Sequence, residues 1–297
     1  MTRPRSIVWV VQTLFLILFG LAGSISLPPV AQAQPSPVPD GATVEKIAGG
    51  FQFTEGPLWY DGKLLFTDIP ANRIYQWRPD AGDSVFLEPS GHANGLAVDG
   101  EGQLLLAQHD GQVGRLTAEG EIEALVEAYQ GTRLNSPNDL TVADDGTIYF
   151  TDPPYGVDPE NRELDFSGVY RLGARGTLTL LTKRFSRPNG ICLSPDGSTL
   201  YVNDSGETVI WAYDVTEEGG LANGRQFAVP EGEADGTTDG MKVDANGNLY
   251  STGPGGVWVY APSGEQLDQI SVPVAPTNLA FGGPEHKTLF ITARANV

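Results

Sequence analysis

The chain has 297 residues, 40% of them hydrophobic, and its 37 acidic and 18 basic residues give a formal net charge of −19. That composition supplies ample apolar material for a core. The acidity repels phosphate backbones, which argues against nucleic acid as a partner. The single cysteine, Cys192 in "NGICLSP", excludes an internal disulfide and reads as a small buried hydrophobe in a strand.

In chain order, the first element is an export signal. Arg3 and Arg5 precede an apolar run over residues 7–27, and "AQAQ" then offers an A-x-A site. This predicts a signal peptide over residues 1–33, cleaved after Ala33, and a Pro-rich linker over residues 34–42. Because residues 1–33 hold no acid and two arginines, cleavage would take the charge from −19 to −21. No cysteine lies near the site to carry a lipid. The reading is therefore an exported protein, periplasmic or secreted, with no membrane attachment after cleavage. No other segment is apolar enough to span a bilayer.

From residue 43 to 297 the chain repeats itself. Six segments share one grammar: "EGPLWYDGKLLFTD" from Glu55, "NGLAVDGEGQLLLAQ" from Asn94, "NDLTVADDGTIYFTD" from Asn138, "NGICLSPDGSTLYVND" from Asn189, "DGMKVDANGNLYSTG" from Asp239 and "NLAFGGPEHKTLFIT" from Asn278. In each, a polar residue opens a short apolar strand, a turn rich in Asp and Gly follows, and a second strand returns. Most units add a third strand, such as "NRIYQW", "QVGRL", "GVYRL", "TVIWAY" or "GVWVY", and an outer strand such as "EIEALV" or "TLTLLT". Four strands per ~40–50 residues is the period of a propeller blade. The spacing predicts an all-β, six-bladed β-propeller forming one domain over residues 43–297. The last unit ends too soon for its outer strands, so residues 43–48, which alternate like a strand, are expected to close the ring there.

Innermost propeller strands line a central channel and start at one end of it. The openers Glu55, Asn94, Asn138, Asn189, Asp239 and Asn278 should therefore converge. Two carboxylates and four amides, with no His or Cys, form an oxygen-only donor set suited to a hard divalent cation, Ca²⁺ foremost, with Mg²⁺, Mn²⁺ or Zn²⁺ as other candidates. Asp68, Asp152 and Asp204 all end second strands and are assigned to turns as acceptors of backbone N–H groups. Loops after second strands emerge at the ring's end, which makes His109 and the long insertion at residues 153–167, with Tyr155, candidates for the pocket wall. His92 and His286 lack zinc-ligand spacing. No G-x-S-x-G elbow or phosphate-cradling loop occurs.

The motifs "FTEGPLW", "NSPNDL", "RPNGICLSPDGSTLYVND" and "TTDGMKVDANGNLY" resemble those of the senescence-marker-protein (regucalcin)/gluconolactonase/luciferin-regenerating-enzyme-like family, over essentially the whole chain after the leader. The resemblance implies a propeller that hydrolyses lactones or related esters with a divalent metal at the channel mouth. Paraoxonases and diisopropyl-fluorophosphatase are similarly arranged. Carried over by position, it makes Glu55, Asn138, Asn189 and Asp239 the metal ligands, and Asp239 the catalytic base or nucleophile. Regucalcin-like members place a sugar-binding arginine two residues before the first Asn, whereas this chain has Ser136. Asn94, His109, Ser136, Tyr155 and Asn278 are the substrate-binding candidates. The expected partner is a small-molecule lactone or ester, and the expected state a monomer or weak oligomer. The competing readings are a non-catalytic binding propeller with structural calcium, and phosphotriesterase activity at the same metal.

Overall fold

Each Asp/Gly turn separates two runs of strand-forming residues, and each pair folds back as an antiparallel hairpin. In the first, Asp61 and Gly62 both adopt positive φ (47° and 72°) between the paired residues Tyr60 and Lys63, the primed turn that matches strand twist. The computed structural model describes residues 34–297. The expected leader and its cleavage position lie outside the described residues.

Five four-stranded antiparallel blades follow in chain order. Blade 1 holds β1 (Thr54–Tyr60), β2 (Lys63–Asp68), β3 (Arg73–Arg78) and β4 (Gly82–Leu87), and blade 2 holds β5 (Ala93–Val98), β6 (Leu104–Gln108), β7 (Gln112–Leu116) and β8 (Ile122–Val126). A small hairpin, β9 (Ala128–Tyr129) and β10 (Thr132–Arg133), leads to blade 3, made of β11 (Leu140–Val142), β12 (Ile148–Asp152), β13 (Gly168–Leu172) and β14 (Leu178–Thr182). Blade 4 contains β15 (Pro188–Leu193), β16 (Thr199–Asp204), β17 (Val209–Val215) and β18 (Leu221–Ala228), and blade 5 contains β19 (Met241–Val243), β20 (Leu249–Gly253), β21 (Gly256–Tyr260) and β22 (Gln266–Ser271). Blade 6 has β23 (Asn278–Gly282) and β24 (Thr288–Thr292). The innermost strands β1, β5, β11, β15, β19 and β23 touch in that order, and β23 touches β1, so the ring closes.

The core is distributed between blades. Successive side chains of a strand point to opposite sheet faces, so each blade meets both neighbours. Leu64 and Phe66 of β2 join Phe290 of blade 6, whereas Leu65 joins Leu96, Leu104 and Leu106 of blade 2. Phe150 packs toward blade 2 and Tyr149 toward blade 4. Cys192 is buried between blades 4 and 5, where burial pushes its thiol up to about 12.

Blade 6 is completed by the two ends of the chain, at a register displaced from the sequence expectation. Ile47 and Ala48 donate their N–H groups to the Val297 carbonyl (3.0 and 3.2 Å), and Val297 N–H returns to Ala48 (3.2 Å). Gly50 N–H bonds the Ala295 carbonyl at 3.1 Å. Pairing thus runs from residue 47 to 50, not 43 to 48, because only there do Ile47 and Ala48 pack with Phe66, Phe290 and Val297. Residues 34–42 also differ from a free linker. Gln34 bonds Asn248 (3.1 Å), Ser36 bonds Asp268, and Val38 packs beside Leu267, Phe281 and Leu289. Deleting residues 295–297 would expose the apolar face beneath Val297 and break these closing bonds, for about 2 kcal/mol or more. A fall of at least ~5 °C in melting temperature is expected. An unchanged midpoint in a thermal scan would show that closure lies elsewhere.

Candidate metal and active site

The six openers occupy equivalent places. Glu55, Asn94, Asn189 and Asn278 lie in the first residues of β1, β5, β15 and β23, while Asn138 and Asp239 stand two residues before β11 and β19. The inner strands crowd together because most openers are followed by glycine. A Cβ on Gly56, at φ 49°, would lie 1.9 Å from the Asn94 carbonyl oxygen, and one on Gly240 would lie 1.9 Å from Asn278 Oδ1. Only glycine admits that approach. The approach binds neighbouring blades directly, as where Gly95 N–H donates to the Asn138 carbonyl (2.7 Å).

Glu55 is 2% exposed. Its Oε2 accepts from Gly56 N–H (2.7 Å) and from Asn278 Nδ2 (2.8 Å). The Asn189 amide and the Glu55 carboxyl both act on the Asp239 carboxyl, the first favouring and the second opposing its charge. Thus side chains from blades 1, 4, 5 and 6 meet on the axis. Asn138 is buried and makes no side-chain hydrogen bond among the described residues. Asp239 retains some exposure at the channel mouth, although protein atoms crowd its carboxyl.

A third acid joins them that sequence reasoning missed. Asp139 sits one residue past an opener, where four of the other five blades have glycine. It is 2% exposed, it acts electrostatically on both Glu55 and Asp239, and its Oδ2 has no partner. Its departure from the glycine slot was the available signal. Lys242, also missed, stands below these acids. It lines a cavity of about 200 Å³ in the channel behind the ring, otherwise walled largely by Leu58, Leu96, Leu140 and Ile191. Its Nζ donates to the Met241 carbonyl (3.0 Å) and forms no ion pair among the described residues, though it acts on Glu55 and Asp139.

Burial is the largest influence on these acids. It raises Glu55 to about 7, raises Asp139, and, with the neighbouring Glu55 carboxyl, raises Asp239 well above the usual range. Three acids against one ammonium leave a charge of −2 when all are ionised. That balance and the unpartnered Asp139 oxygen fit a divalent cation. Among the described residues, no three His, Cys, Asp or Glu side chains by themselves form a metal cluster.

The other candidates divide. Asn94 Nδ2 and His109 Nε2 are 3.1 Å apart. Burial lowers His109 to about 4, so its neutral ring accepts from the amide. Ser136 does not face the channel as a substrate contact would: it is fully buried, and its hydroxyl is held between the Pro153 carbonyl and Gly156 N–H (2.9 Å). The short side chain that replaces arginine here pins the insertion. Tyr155, at the tip of that insertion, bonds Ser205, and the Asn189 amide acts on its phenol. The strand-end aspartates accept backbone N–H groups, but mostly from the segment leading into their own blade's first strand and not from their own turn: Asp68 accepts from Gln52 and Phe53, Asp152 from Asn135, and Asp204 from Ser186 and Arg187, with Gly206 the one local donor among these.

The profile of the SMP-30/Gluconolactonase/LRE-like region matches residues 53–295. The chain is 39% identical to a gluconolactonase of Zymomonas mobilis over 286 residues, covering 86% of this chain and 80% of that one. It is 29% identical to a pentonolactonase of Haloferax volcanii, with 80% of each covered. Among solved structures it resembles a gluconolactonase from Xanthomonas campestris (TM-score 0.77, 36% identity, covering 84% of this chain and 86% of that one). A calcium-binding regucalcin from Agrobacterium tumefaciens is also similar (TM-score 0.67, 26% identity, covering 85% and 88%).

Proposed function

The chain belongs to the SMP-30/gluconolactonase/LRE-like family, and from that premise we propose that it opens sugar lactones of the gluconolactone kind by hydrolysis at the channel mouth. The observation that carries this reading is the convergence of Glu55, Asp239 and Asn189 from three blades, with the unpartnered Asp139 oxygen beside them. Glu55, Asn138, Asn189 and Asp239 are the residues that would hold a divalent cation, Ca²⁺ by donor chemistry. When bound, it supplies Lewis-acid polarisation of the carbonyl and charge for the developing oxyanion.

The chain's own residues do the remainder. Asp239, partly exposed at the mouth, takes the proton of the water that attacks the lactone carbonyl carbon. The ring C–O bond then breaks, and the departing alkoxide takes up a proton to give the hydroxy acid. Asn189 orients the Asp239 carboxylate, and the Asn278 amide fixes Glu55. Asp139 and Lys242 set the charge beneath. The motif "AQAQ" supports export of the mature protein.

The test is a hydrolysis panel of glucono-1,5-lactone, δ-valerolactone and a phosphotriester, run with CaCl₂ and with chelator. Glucono-1,5-lactone should be opened in CaCl₂, with activity falling at least ~100-fold in chelator. Hydrolysis of none of the three would favour a binding propeller, and the phosphotriester alone would replace the substrate class.

A further inference from the structure

We infer that Tyr155 and Ser205 form the element that reads the ring hydroxyls of the lactone and so sets specificity for hydroxylated lactones. This rests on the lactonase reading above. The insertion after β12 is fixed at its base. Ser136 holds Pro153 and Gly156, and Asn135 Nδ2 bonds the Asp152 and Phe166 carbonyls (3.1 and 3.0 Å). Arg162 Nε adds a bond to Asn135 Oδ1 (3.1 Å). Gly156 lies against His109 so closely that a Cβ there would sit 2.5 Å from the His109 Cβ. The insertion therefore starts on blade 3, touches blade 2, and sends Tyr155 toward blade 4, where its hydroxyl bonds the Ser205 hydroxyl. That bridge stands beside the ring of openers: the Asn189 amide and the Asp239 charge both act on the phenol.

Ser205 Oγ also reaches the Arg187 carbonyl (3.3 Å), and either hydroxyl can be the donor in the Tyr155–Ser205 bond. In either arrangement the phenol keeps hydrogen-bonding capacity for a molecule in the mouth. Tyr155 as a whole residue is 41% exposed, so a molecule entering the mouth can touch it. A lactone whose carbonyl carbon addresses Asp239 presents its ring substituents to the phenol oxygen. A hydroxyl there makes a hydrogen bond, and a methylene cannot. A site built to bond a hydroxyl discriminates strongly against the analogue lacking it.

The experiment compares Tyr155→Phe and Ser205→Ala with wild type on glucono-1,5-lactone and δ-valerolactone at saturating CaCl₂. For Tyr155→Phe, kcat/KM on glucono-1,5-lactone is expected to fall at least ~10-fold, mostly through KM, with less than ~3-fold change on δ-valerolactone. Ser205→Ala should show the same substrate contrast at smaller size, because it frees the phenol without removing it. The Phe variant keeps an exposed ring on a pinned loop, so its thermal midpoint should match wild type. Equal losses on both lactones, or no loss on either, would overturn the inference and leave the lactonase reading standing. Wild type that opens neither lactone would overturn both.

Discussion

Asp239→Asn is expected to leave a folded propeller that opens lactones at least ~100-fold more slowly, the lower range for losing a general base. The substitution keeps the shape and an oxygen but removes the carboxylate that takes the water's proton at the partly exposed end of the acid cluster. Asparagine also withdraws one negative charge from the donor set, so Ca²⁺ should bind more weakly, and the rate must be read at saturating metal. Folding should survive because the cores lie between blades and Asp239 belongs to none of them. Asp204→Asn is the control. Asp204 receives Ser186 N–H at 2.7 Å, Arg187 N–H at 3.0 Å and Gly206 N–H at 2.9 Å. An amide has one acceptor oxygen, so at least one of these donors loses its partner, at about 1–3 kcal/mol. That variant should melt earlier and keep most of its activity. Near-normal hydrolysis in Asp239→Asn would remove Asp239 from the mechanism, and inactivity in both variants would dissolve the distinction between ring and turn.

That distinction was legible in the sequence because the repeat assigns every residue a slot. The slot of Asp204 ends a second strand and the slot of Asp239 opens a first, and their partners differ accordingly. The same periodicity fixed the second and third strands to within a residue or two, since each is bounded by its own Asp/Gly turn. Asp139 escaped because its blade departs from the repeat: an acid stands where glycine is usual, and a pattern search passes over a single unlike residue. Lys242 escaped for another reason. The strand "MKV" puts it in the channel, but its effect on Glu55 and Asp139 exists only after blades 1, 3 and 5 are brought round the axis. Ser136 stands where regucalcin-like members have arginine, and its short side chain bonds the insertion at Pro153 and Gly156, a role that the repeat pattern does not carry. The displaced closure at residues 47–50 depends on packing against Phe66 and Phe290, and strand alternation carries no such information.

Metal should stabilise the protein far more above pH 7 than below it. In the metal-free protein Glu55 holds its proton up to about pH 7, against 4.5 when unfolded, because burial opposes its charge. Below pH 4.5 both states are protonated and nothing is lost. As pH rises to about 7 the unfolded chain ionises first and the folded state binds more protons, so stability falls with pH. The loss is complete above about 7 and is on the order of 3 kcal/mol for Glu55 alone. Asp139 and Asp239 are shifted in the same direction. A divalent cation favours the ionised acids, so its binding releases protons and its affinity climbs with pH until they are ionised. The metal-free melting temperature should therefore fall between pH 5.5 and 7.5. The increment given by a fixed CaCl₂ concentration should grow over the same interval by at least ~5 °C. Glu55→Gln removes one of the two carboxyls raised to about 7, the other being the buried Asp152, and should lessen the metal-free slope without abolishing it. A CaCl₂ increment equal at both pH values would mean that these buried acids do not bind the cation, whatever their spacing.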